Sequence, residues 1–224
     1  MSSFFAAADF AFFEGAAATF FMIGKNVAEW SDVVTATALD GFEVGCHSWS
    51  HPQLTRCSEE KLKKELGQTT EVIGKAIGRL PFLMRPPYGA RNKHTDQKCG
   101  GYGQSVQIWD VDSLDWKNRN VQKNMEEIRK YSRRGSLVLM HEIHKASVDT
   151  VPGALDFFAE NNFTLLTTSE LGQNQMYAGK HYMHGLVTKK EKSPEGGSDG
   201  KSDGGKDGKK SEGKSGQDSG NGNG

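Results

Sequence analysis

Short apolar runs alternate along the chain with segments in which apolar residues recur every three or four positions. The runs Ala18–Ile23, Phe42–Cys46, Phe82–Met84, Ser105–Trp109, Leu137–Met140 and Phe163–Thr167 predict six strands. Between the second and third, Leu62, Leu66, Thr70, Ile73 and Ile77 follow helical spacing, and Ser58 stands where an N-cap belongs. Ser31 to Leu39 predicts another helix, closed by Gly41 at the C′ position. Asn120 is placed to cap a helix carrying Val121, Met125 and Ile128, and Pro152 suits the first turn of one ending near Asn161. Strand–helix alternation implies parallel strands joined by right-handed crossovers and covered by helices. An open α/β sheet and a barrel both fit, and both collect chemistry at the carboxyl ends of their strands.

Composition limits how much of the 224 residues this pattern can occupy. From Lys189 onward there is no aliphatic or aromatic side chain, only Gly, Ser, Lys, Asp, Glu, Gln, Asn and one Pro. Such a stretch cannot bury enough apolar area to offset its ordering entropy, so residues 181–224 are expected to form a disordered tail. Residues 15–180 are then one domain, and residues 1–14 an atypical N-terminus, the remnant of a first helix. Lysine and acid alternate in the tail, and the 28 basic residues of the chain balance its 28 acidic ones, which gives no footing for a nucleic-acid partner. The three cysteines show no ligand-like spacing. Met1 to Gly15 lacks the basic start of a signal peptide, and no run approaches the length of a membrane span.

The chemistry-bearing residues follow the predicted strands in turn. After Phe42–Cys46 comes His47-Ser48-Trp49-Ser50-His51. Two imidazoles from one loop fit adjacent vertices of a tetrahedral metal site, although a polar loop with Trp49 packed inward accounts for them equally. Ser48 occupies the place where a zincin peptidase carries its glutamate, which excludes that reading. Pro52 predicts an extended His51. After Phe82–Met84 comes Arg85-Pro86-Pro87-Tyr88-Gly89: a donor fork for a carboxylate, then a stiff turn whose backbone N–H could face an oxyanion. After Ser105–Trp109 come Asp110, Asp112 and Asp115, a cation site, an orienting carboxylate or a set of local Asx turns. His141, after Leu137–Met140, suits a general acid. Gly100-Gly101-Tyr102-Gly103 precedes a strand and is expected to be a turn, not a dinucleotide loop.

In their order, Ala18-Thr19-Phe20-Phe21 with Gly24, His-Ser-Trp-Ser-His, Arg-Pro-Pro-Tyr, Asp-Ser-Leu-Asp-Trp and Val-Leu-Met-His resemble the motifs of the polysaccharide deacetylases. This is the NodB-homology, carbohydrate esterase family 4 group, and the likeness runs from about Gly15 to Leu171. The resemblance implies an irregular (β/α) barrel that removes N-acetyl groups from a polysaccharide such as chitin. It implies that His47 and His51 bind a divalent metal cation, zinc foremost. Arg85 would hold the catalytic base, the Tyr88 backbone N–H would help stabilise the oxyanion, and Asp115 would orient the acid His141. Trp116 and Leu139 would wall the acetyl pocket. Secretion or a cell-wall location follows from the same resemblance.

Members of this family open the series with a Thr-Phe-Asp-Asp-Gly-like motif, supplying the base and the third metal ligand. No Asp-Asp pair occurs before Ala18; Asp9 is the one aspartate there, and Asp40 and Glu43 lie away from the carboxyl end of their strand. The expectation is a barrel without its first strand, impaired in catalysis, and a piece of a longer protein whose start carries a signal peptide. Two alternatives remain: a non-catalytic carbohydrate-binding descendant, and a different metallohydrolase in which Asp112 completes the site.

Overall fold

The computed structural model describes residues 15–173 and 175–185; the N-terminal segment before Gly15 and most of the expected disordered tail lie outside the described residues. Four parallel strands are laid down in chain order: β1 (Thr19–Met22), β2 (Glu43–Cys46), β3 (Leu83–Met84) and β4 (Ser105–Gln107). Between β1 and β2 run α1 (Gly24–Glu29) and α2 (Ser31–Leu39); α3 (Glu59–Ile77) joins β2 to β3, and α4 (Lys93–Gly101) joins β3 to β4. The register aligns Met22 with Cys46, Cys46 with Met84 and Met84 with Val106, so the four carboxyl ends share one edge. This is the α/β class expected.

The long helix forms as its spacing predicts. Ser58 Oγ accepts from Lys61 N, Gly78 ends the helix at φ 72°, and Leu62, Leu66 and Ile73 are fully buried. They pack with Val27 and Val34 from the first two helices and with Cys46, Met84 and Val106 from the sheet. Gly41 sits at φ 90° after α2, as a C′ glycine does.

The second half is less regular. The chain after β4 bends into β5 (Val111–Asp112), continues through α5 (Asp115–Asn118) and α6 (Val121–Tyr131), and pairs β5 in parallel with β6 (Val138–Leu139). Asn120 caps α6 as expected, its side chain accepting from Lys123 N. The next helix, α7 (Lys145–Glu160), begins seven residues before Pro152, so the proline lies inside it and not in its first turn. The helix survives the lost N–H because Ala154 and Phe158 bury against Met125 and Ile128 of α6.

Phe163–Thr167 is not a strand. Phe163 and Leu165 pack on the α6–α7 cluster, so the run is apolar because it is buried, not because it is paired. Gly100 and Gly101 end α4 instead of forming the turn, which falls on Tyr102 and Gly103. The short α8 (Thr168–Leu171) is held by Glu43, which accepts from Thr19 Oγ1 and Ser169 N at 3.0 Å each and from Ser169 Oγ. Glu43 therefore serves the amino end of the sheet, opposite the candidate chemistry. Last comes β7 (His181–Tyr182), pairing with β4 on the tail side of residue 180. His181 is exposed and Tyr182 half-buried, and an edge strand of two residues leaves no alternation to read.

Leu66→Ala is expected to cost about 2–5 kcal/mol through lost burial and the cavity it leaves. Ser58→Ala removes one cap, at about 1 kcal/mol. Urea unfolding monitored by circular dichroism measures both, and the larger loss belongs to Leu66.

Candidate active site

The aligned strand ends deliver the predicted residues one after another. His47 follows Cys46 and its N–H donates to Met22 O at 2.9 Å; Arg85 follows Met84 and donates to Cys46 O at 2.9 Å. The His-Ser-Trp-Ser-His loop is then tied down from two sides. Gly24 N and Lys25 N donate to Ser48 O and Trp49 O, and Ser50 donates through N and Oγ to Glu65 at 2.8 and 2.6 Å. Gly24 is required here, since a Cβ would come within 2.6 Å of the Trp49 ring.

His51 is not extended, as Pro52 predicts, but at φ 61°, with Ser48 at φ 65°. Ser48 Oγ accepts from His51 N at 3.0 Å, and the tertiary bonds to Glu65 overrule the local preference. The curl brings the two imidazoles together, their ring centroids 4.8 Å apart. His51 also meets the Tyr88 ring at 4.8 Å, and Tyr88 is itself at φ 62°. His47 Nδ1 donates to Arg85 O at 2.5 Å, which fixes the tautomer and leaves Nε2 with its lone pair. Burial lowers the His47 pKa to about 4, so the ring is neutral at physiological pH.

A catalytic zinc site takes three protein donors. The described residues bring two imidazoles and no cluster of three His, Cys, Asp or Glu side chains. They supply part of a metal site without completing it. Asp112 does not fill the gap: its Oδ1 accepts from Leu114 N at 2.9 Å in a local turn. The three aspartates serve separate ends. Asp110 accepts from Leu137 N at 2.7 Å and pairs with Arg133, whereas Asp115 is fully buried against His141.

That last pair is the most closely defined contact of the site. Asp115 Oδ2 accepts from His141 N at 2.7 Å, and Oδ1 lies 2.8 Å from His141 Nδ1. Burial pushes the Asp115 carboxyl up, but the hydrogen bonds from His141 outweigh this and hold it below the usual range. His141 is raised, first by its hydrogen bond to Asp115, against an opposing effect of burial.

A cavity of about 810 Å³ lies between β1 and β6, its wall including His47, His51, Arg85, Leu139 and His141. Asp115 stands behind His141, while Tyr88 and Trp116 lie outside this wall, Tyr88 well exposed and Trp116 about half. Arg85, 9% exposed, stacks its guanidinium 4.1 Å from the centroid of Phe21. Two acidic residues of the site escaped the sequence reading. Glu65 is buried on the apolar stripe of α3, and an acid on such a stripe was the available signal. Glu142, next to His141 in the chain, lines the cavity with its pKa raised by burial, and adjacency to that histidine was the signal its sequence offered.

The polysaccharide deacetylase family profile matches residues 13–105. A solved T48 deacetylase with substrate superposes at a TM-score of 0.75 with 31% identity, over 79% of this chain and 88% of the other. The chain belongs to the polysaccharide deacetylase family. Among curated relatives, the peptidoglycan-N-acetylmuramic acid deacetylase PdaC of Bacillus subtilis is 35% identical over 69% of this chain and 32% of its own length. The chitin deacetylase of Amylomyces rouxii is 27% identical over 64% of this chain and 38% of its own. The chain thus spans about a third of the length of such relatives.

Asp115→Asn should return the His141 pKa downward, to or below the ordinary value of about 6.5, because burial then acts without the carboxylate. Histidine NMR titration reads this. The native pair also sets a stability window. The lowered Asp115 contributes above about pH 4 and loses its contribution as pH falls through its folded pKa; the raised His141 contributes below about pH 6.5 and loses its contribution as pH rises through its folded pKa. Urea melts should therefore show the largest advantage over Asp115→Asn between those limits. A difference independent of pH would contradict the ion pair.

Proposed function

We propose that this chain is an N-deacetylase of an N-acetylated glycan, of the peptidoglycan or chitin class, acting at the cell wall or outside the cell. The observation that carries the reading is the Asp115–His141 pair, with His141 on the wall of the cavity that also holds His47, His51 and Arg85. With Nδ1 engaged by Asp115, His141 gives up a proton from Nε2 to the departing amine, and the raised pKa keeps that proton available near neutrality. The Tyr88 backbone, held at φ 62° after two prolines, offers a fixed N–H for the oxyanion of the tetrahedral intermediate. Leu139, on the same wall, would line the acetyl pocket; for Trp116, which lies outside this wall, the role rests on the family motif alone. His47 and His51 are the donors offered to a divalent cation. The glycan relatives of both kinds and the ordered motifs support this reading, and among the described residues no helix is long and apolar enough to cross a membrane.

A second reading, a carbohydrate-binding descendant without turnover, is favoured by one observation: Arg85 has no carboxylate partner among the described residues. The two readings separate on acetate released from peptidoglycan or an N-acetylglucosamine hexamer. A deacetylase releases acetate, and His141→Asn lowers its rate by about 10²–10⁴-fold. Saturable glycan binding with no acetate at long incubation establishes the binder, and neither binding nor release removes both.

Zinc titration by calorimetry tests the imidazole pair. His47→Ala and His51→Ala should each abolish binding, whereas Asp112→Ala should leave it unchanged. Unaltered zinc binding in either histidine variant would remove the pair as ligands.

A further inference from the structure

Asp115 offers more acceptor sites than its pairing with His141 uses. An ionised carboxylate has about four lone-pair positions. Oδ1 accepts from Trp116 N at 2.8 Å and lies 2.8 Å from His141 Nδ1, and Oδ2 accepts from His141 N at 2.7 Å. Among the described residues these contacts leave one position, on Oδ2. Asp115 is fully buried, and a buried charge is stable only when its remaining lone pairs are met. The donor at hand is Ser147. It stands in the first turn of α7, which packs on α5, the helix that Asp115 opens.

The Ser147 hydroxyl has no competing use. Its Oγ is shielded from solvent and makes no hydrogen bond of good geometry among the described residues. Other buried helical hydroxyls of this chain turn back on their own helix: Thr37, Thr69, Thr70 and Thr150 donate to the carbonyl four residues earlier at 2.8, 2.7, 2.8 and 2.6 Å. Ser147 is denied that outlet, because Ile143, four residues earlier, lies ahead of the helix that His144 caps. The hydroxyl instead stands beside the Asp115 carboxylate and lowers its pKa, as a donor to the charged form does. Its alignment is imperfect, and active-site hydrogen bonds of this kind tighten as the reaction proceeds.

We propose that Ser147 is a positioning residue of the acid pair, its hydroxyl donating to Asp115 Oδ2 and holding the carboxylate in place while His141 passes its proton to the departing amine. No proton leaves Ser147. The proton comes from His141 Nε2, and once it has gone Asp115 faces a neutral ring and has lost its counter-charge. The hydroxyl then supplies the donor that a buried carboxylate requires. This deepens the deacetylase reading and rests on it for turnover; the contact between Ser147 and Asp115 is tested without it.

The test compares Ser147→Ala, which removes the donor, with Ser147→Thr, which keeps it and places its extra methyl at the cavity that Ser147 lines. Ser147→Cys, close in size and a weak donor, stands in for the alanine variant if that one does not fold. Carbon NMR of the full chain labelled at aspartate carboxyls follows Asp115 as the pH falls, with Asp115→Asn assigning the signal. Alanine should raise the Asp115 midpoint, and threonine should return it toward the native value. Asp112, Glu142, His47 and His51, which also act on His141, are the same in every variant. On an N-acetylglucosamine hexamer, alanine should lower kcat about 2–10-fold with KM unchanged, the size of one hydrogen bond, and threonine should restore it. An Asp115 midpoint that alanine leaves still overturns the proposal, as does a threonine variant that behaves like alanine. Native kcat in the folded alanine variant overturns it as well. A native chain that releases no acetate, with the midpoint moving as stated, sinks the deacetylase reading and upholds the contact.

Discussion

The row Met22, Cys46, Met84 and Val106, one residue from each of four parallel strands, is the constraint on which the site depends. Backbone hydrogen bonds set that register, and a slip of one residue would turn every side chain beyond it to the other face. Because the register holds, the residues that follow Cys46 and Met84 emerge together: His47 bonds back to Met22 and Arg85 to Cys46. The same step carries His47 Nδ1 to the Arg85 carbonyl, so one strand end selects the tautomer of the next. The core beneath is therefore part of the chemistry. Leu62, Leu66 and Ile73 pack the long helix against the sheet, and Glu65 on that helix holds Ser50 in the histidine loop.

Left-handed backbone gathers around the candidate site. Ser48, His51, Tyr88 and Leu114 are all non-glycine residues at φ between 54° and 65°, each beside a residue with a proposed role. Such conformations cost about 1–3 kcal/mol each and persist where surrounding contacts over-determine them. Here those contacts are the Ser48 hydroxyl, the Glu65 carboxylate, the two prolines before Tyr88 and the Asp112 turn before Leu114. The acid pair is built differently. Asp115 is fully buried and spends both oxygens on His141, which orients the ring and raises its pKa in a single arrangement.

Much of this was legible residue by residue. The strands from Thr19 to Gln107 and the long helix are local patterns, and local patterns survive in a sequence read alone. The second half was harder because its apolar residues serve two masters. Phe163 and Leu165 look like a strand, yet they fill a helix–helix cluster, and β5 and β7 are each two residues long. Length that short leaves no period to count. The position of Pro152 misled for a related reason: helix packing against α6 outweighed the loss of one hydrogen bond.

By itself the sequence determined the α/β class, the family, and which residues stand at strand ends, because apolar periodicity and motif order are properties of neighbours along the chain. Tertiary structure alone decided three things. It separated Asp110, Asp112 and Asp115 into a loop tie, a turn and the partner of His141. It curled His51 against its local preference, so that two histidines four residues apart face each other. It also buried Arg85 beside a cavity, with no ion pair to its guanidinium among the described residues. All three depend on distances between residues far apart in sequence, which only the packed sheet and its helices set.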